Sequence, residues 1–122
     1  MAKDRSGNLD DGSRDGLVVK RAFANVAAAQ TDSALVTAVA AKKIRVLGVI
    51  LSGAGAGATS VTFNSKPAGS GVAISPAFLS HAVGPVLPYN PHGWFETVAG
   101  EGLTVTTGAG TTTGILILYV EA

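Results

Sequence analysis

The chain has no cysteine, which excludes disulfides and thiolate metal sites and leaves no redox compartment to infer. Charge is also scarce. Asp, Glu, Lys and Arg make up 14% of the 122 residues, against about a quarter in ordinary globular chains. A net charge of +1 argues against a dedicated nucleic-acid binder. No run approaches the ~20 apolar residues of a membrane-spanning helix. The opening Met1-Ala2-Lys3-Asp4-Arg5 lacks the apolar centre of a signal peptide. The expectation is a soluble, intracellularly made protein with no membrane partner.

What is present is apolar side chain and glycine: 47% of residues are hydrophobic and 16 are Gly. A chain of this length buries about two-thirds of its surface on folding, enough for a core without metal or disulfide. A small monomer with so few charges has little to keep it dispersed, so part of its surface is expected to be hidden by association.

The charges are unevenly placed. Residues 1–21 carry nine of them, and the remaining 101 residues carry eight. Residues 6–16 hold three glycines and one large apolar residue, Leu9, too little to offset their ordering entropy. Residues 1–16 are therefore expected to form a flexible arm, either without a role or docking on a neighbour. Residues 17–122 are expected to form one β-sandwich domain.

From Leu17 onward, short apolar stretches alternate with turn residues. Strands are expected at residues 17–24, 34–39, 43–52, 60–64, 72–74, 77–79, 94–98, 103–107 and 114–122. Residues 25–41 are alanine-rich and score as helix on propensity, yet their valines and strand-like flanks favour extended structure. Five prolines between Pro67 and Pro91 confine that region to edges and loops. Eight or nine short strands without a helix make an all-β, antiparallel sandwich, jelly-roll-like in topology.

Two stretches break the rule that one sheet face is wet. Residues 46–51 and 115–120 are apolar on both parities, although successive side chains on a strand point to opposite faces. Each either lies mid-sheet between two covered layers or buries its second face on another copy of the protein. We expect at least one of them to do the latter.

Residues that could carry chemistry are few. His81 and His92 are the only imidazoles and lack a third ligand at metal-binding spacing. Glu96 and Glu101 form a conceivable carboxylate pair, but five residues across a turn do not secure a useful separation. The glycines at 53–57 lack the Lys-Ser/Thr that follows a phosphate loop, and no Gly-x-Ser-x-Gly elbow is present. Lys42, Lys43 and Arg45 read as a solvated strand entry. Tyr89, Trp94 and Phe95 could stack on sugars if exposed, or anchor a core or interface if buried. No enzyme, metal or cofactor is expected.

Three segments together mark a family: Ala41-Lys42-Lys43-Ile44-Arg45-Val46-Leu47, then residues 87–101 with Asn90-Pro91-His92-Gly93-Trp94-Phe95-Glu96-Thr97 and Ala99-Gly100-Glu101, then Leu118-Tyr119-Val120-Glu121. Over residues 33–122 the chain resembles small β-rich proteins of tailed bacteriophages, among them the capsid decoration (cement) proteins. The resemblance implies a homotrimeric structural protein on the outer surface of the virion's capsid. There it would bridge neighbouring copies of the major capsid protein, having been made in the host cytoplasm. It also implies that the arm, with Lys3, Arg5, Leu9 and Arg14, grips the capsid. Val49, Leu51, Trp94, Phe95, Leu116 and Leu118 are the candidates for subunit interface or packing. The same module is similar to parts of phage tail and fibre proteins, which leaves open a tail or fibre module that binds a host surface glycan through Tyr89, Trp94 and Phe95.

Overall fold

The computed structural model describes residues 17–53, 58–82 and 84–122. The expected arm at residues 1–16, and with it Lys3, Arg5, Leu9 and Arg14, lies outside the described residues.

Ten strands form two antiparallel sheets, and the described residues contain no helix: β1 (Lys20–Val26), β2 (Ser33–Val36), β3 (Ile44–Gly53), β4 (Thr59–Lys66), β5 (Val72–Ala73), β6 (Phe78–Ser80), β7 (Val86–Leu87), β8 (Phe95–Glu96), β9 (Gly102–Thr107) and β10 (Thr113–Glu121). Sheet one runs β1-β10-β3, with β7 and β8 both pairing the far edge of β3. Sheet two runs β2-β9-β4, with β5 and β6 both on the far edge of β4. Taking β5/β6 and β7/β8 as one position each gives the strand orders 1-8-3-6 and 2-7-4-5, the jelly-roll arrangement of two interleaved Greek keys.

The core lies between the sheets. Sheet one contributes Ile44, Val46, Val49, Leu51, Ile115 and Ile117, and sheet two contributes Val61, Phe63, Leu103 and Val105. Phe63 is fully buried, with Phe95 at 5.0 Å and Phe78 edge-on at 6.2 Å between ring centroids. Val49 and Leu51, candidates for interface or packing, are packing residues at 2% and 1% exposure.

A bulge makes this possible. Along β10 the register on β3 steps from Leu118↔Gly48 to Tyr119↔Val46, so Leu47 is an extra residue on β3. Residues of one face recur every second position, so Val46 and Val49 can both face inward only if one residue is inserted between them. The doubly apolar appearance of residues 46–51 is partly this change of phase.

Several boundaries differ from the sequence expectation. The first strand begins at Lys20 rather than residue 17 and runs to Val26. The second ends at Val36, and the chain after it turns through Ala41 at a φ of 61°. A strand at Val86–Leu87, absent from the expected set, sits inside the proline-rich region at the edge of β3.

Candidate functional site

The two outer faces of the sandwich differ in chemistry. On sheet two, Ser60, Thr62, Thr104 and Thr106 alternate with the inward Val61, Phe63, Leu103 and Val105. Asp32 ties that face together. Its carboxylate accepts the Gly71 N–H at 2.9 Å and hydrogen bonds from Thr104 Oγ1 (3.2 Å) and Asn64 Nδ2 (3.3 Å). This is the wet face that period-two alternation produces.

Sheet one is apolar outside. The registers align Phe23 with Leu116, Leu116 with Ile50 and Ile50 with Val86, so one apolar row crosses the whole sheet from β1 to β7. Phe23 is 79% exposed, Val86 55% and Ile50 48%. The neighbouring row, Arg21–Leu118–Gly48, lies one residue pair further along the same outward parity. Between the rows, Gly48, Ile50, Val86, Tyr89, Leu116 and Leu118 line a groove of about 190 Å³.

The groove has a wall and a floor for physical reasons. The wall is the segment joining β7 to β8. It is held to β3 by Asn90 N–H to Leu47 O and Trp94 N–H to Val46 O, both 2.8 Å. Trp94 Nε1 donates to Pro88 O at 2.7 Å, and the Asn90 side chain accepts the His92 N–H at 2.9 Å, which stiffens the turn. Gly93 holds a φ of +85°, and a Cβ there would press into the Arg45 side chain, so the turn needs glycine. The floor is Gly48, where the missing side chain leaves depth.

Charge is confined to one end of the face. Glu96 pairs with Lys43 (3.0 Å) and Arg45 (3.1 Å). The hydrogen bond from Lys43 is the main cause holding its carboxyl below the usual range; partial burial opposes it and Arg45 adds to it. Lys20 pairs with Glu121 at 3.0 Å, and that hydrogen bond raises the ammonium pKa. Arg21 stands beside Leu118 with no ion-pair partner among the described residues.

The residues singled out from sequence are thus separated. Leu116 and Leu118 line the groove and Trp94 braces its wall at 42% exposure. Phe95 belongs to the core side, stacked on Phe63. Tyr89, Trp94 and Phe95 therefore do not form one ring platform. Glu96 and Glu101 have different partners: Glu101 accepts the Ser65 hydroxyl at 2.6 Å. His81 lies in a backbone bridge with Gly84. Among the described residues no three His, Asp or Glu side chains are grouped to hold a metal ion.

The chain matches no family model, no curated protein and no solved structure.

Phe23, Val86 and Gly48 were not singled out from sequence. The signal for Phe23 was present in Arg21-Ala22-Phe23-Ala24-Asn25, where the phenyl ring shares the parity of two polar residues while the alanines take the inward parity.

Proposed function

We propose that this chain is a structural binding protein, a phage head decoration (cement) protein that acts as a homotrimer on the outer capsid surface. The observation that carries the reading is the apolar row Phe23–Leu116–Ile50–Val86 on a face that no second layer of the described chain covers. Covering such a row removes apolar area from water, which is the main source of association free energy. The family resemblance of residues 33–122 supplies the setting. In that setting the protein binds the assembled lattice and not free capsid subunits, so it stabilises the lattice by mass action. A three-fold ring is a heterologous contact and needs two different complementary patches on each copy. The apolar row is one such patch.

Two measurements test this. Light scattering at micromolar concentration is expected to give three times the chain mass, and a monomer counts against the trimer. Co-sedimentation with expanded phage heads, and not with detergent-dissociated capsid protein, is the expected binding pattern. Equal binding to neither or to both removes the decoration role.

A further inference from the structure

The end of the core where β10 begins is lined by hydroxyl groups. Thr59, Ser80 and Thr113 are each fully buried there. Thr59 opens β4 on the inward parity of Val61 and Phe63, and Ser80 is its partner on β6. Residues directly opposite in an antiparallel ladder point to one face, so Ser80 is inward too. Thr113 opens β10 on the parity of Ile115 and Ile117, core residues of the other sheet. Gly53 joins the two sides. It is paired with Thr113, and its N–H donates at 2.6 Å to the carbonyl of His81, the residue after Ser80. The Thr59 hydroxyl joins them again, accepting the Thr111 N–H at 2.8 Å and donating to Thr111 O at 2.9 Å.

The other two hydroxyls differ from every other buried polar side chain described. Thr59, Asn64, Ser65, Thr97, Thr104 and Thr107 all hold protein partners. Ser80 Oγ and Thr113 Oγ1 have none among the described residues. A hydroxyl carries one donor and two acceptor sites, and burying it unbonded forfeits its hydration. That both unbonded groups stand at the same end of the core, on facing sheets, makes them the two sides of one polar site.

We propose that an internal water molecule binds between Ser80 and Thr113 and links β6 to β10. The lining selects the ligand. Both groups donate and accept, as water does, and two hydrogen-bonding partners are enough to hold a buried water. An apolar occupant leaves both hydroxyls unbonded. A metal ion finds no group of three His, Asp or Glu side chains among the described residues. Because both side chains are closed off from solvent, the bound water exchanges slowly with the bulk. This tie between the sheets does not depend on the apolar row, the trimer or the capsid.

Oxygen-17 magnetic relaxation dispersion tests the site, because it counts long-lived waters and ignores exchanging hydroxyl protons. The full chain is expected to hold about one long-lived water more than a Ser80→Ala/Thr113→Val variant. Thr62→Val, on the outer face of sheet two, is the control and is expected to leave the count unchanged. No long-lived water in the unaltered chain, or an equal count in the double variant, overturns the assignment. Thr113→Val alone gives a second reading, since valine keeps the size of the side chain. Loss of one of the water's two partners is expected to raise the unfolding constant about three- to tenfold in urea titrations. An unchanged or lower unfolding constant means that the Thr113 hydroxyl is dry, which also overturns the assignment. Circular dichroism checks that each variant keeps the fold.

Discussion

Replacing Phe23 separates the stability of one copy from the strength of its association. The ring is 79% exposed on β1, so the folded chain loses little by its removal. A Phe side chain offers about 150–250 Å², of which about 120–200 Å² is open here to a partner. At about 25 cal/mol per Å² this is worth about 3–5 kcal/mol on burial. Threonine keeps the strand preference of the position and part of the area, which leaves a net loss of about 2–3 kcal/mol. The expected outcome for Phe23→Thr is a self-association constant weakened about 30- to 150-fold per contact. Urea unfolding of the dilute single chain is expected to shift by less than about 1 kcal/mol. Sedimentation equilibrium over a concentration series reads the first quantity and tryptophan fluorescence the second. Unchanged association with an intact fold would refute the claim that this row is an interface. A loss of several kcal/mol in the single chain would refute the claim that the ring faces solvent.

Four further outcomes follow from the packing and the charges. Phe63→Ala removes the fully buried ring between Phe78 and Phe95 and is expected to cost about 3–5 kcal/mol in urea unfolding. Gly48→Ala is expected to fold normally, because its new methyl meets atoms no nearer than 3.5 Å, and to reduce the groove's capacity. Gly102→Ala, by contrast, puts its methyl 2.9 Å from the Val36 carbonyl and is expected to cost about 1–3 kcal/mol. Glu96 has a folded pKa below its ordinary 4.5, so its pairing contributes fully above that value and is lost as pH falls through the lower folded one. Glu96→Gln is expected to remove that part of the acid limb, worth less than about 1 kcal/mol for so exposed a pair, in urea titrations from pH 6 to pH 3.

The sheets were legible because alternation is a local signal. Ser60-Val61-Thr62-Phe63-Asn64 declares its inward residues without knowledge of any neighbour, and β4 runs through it. The two-parity apolar runs were harder, for different reasons at each. In β10 the pattern is genuine, with Leu116 and Leu118 outward and Ile115 and Ile117 inward. In β3 a bulge re-phases the strand, and bulges depend on the partner strand rather than on the bulged sequence. β7 escaped notice because two residues between prolines carry no period; pairing with β3 gives them their conformation. The groove is a product of tertiary structure altogether. Its floor is a glycine in one strand and its wall a turn about forty residues later, so neither segment read alone describes a cavity.

The contrast between the two outer faces decides what a coat of this chain turns outward. A molecule that adheres through sheet one presents the part-exposed Ser60, Thr62 and Thr106 of sheet two on its other side, with Thr104 buried and bonded to Asp32. Apolar exposure on that sheet sits at its margin, with Leu79 on β6 54% exposed and Val72 on β5 60%. If sheet one is the adhering side, a coat of this chain shows the solvent an exterior that is hydroxyl-rich at its centre and apolar only along that margin.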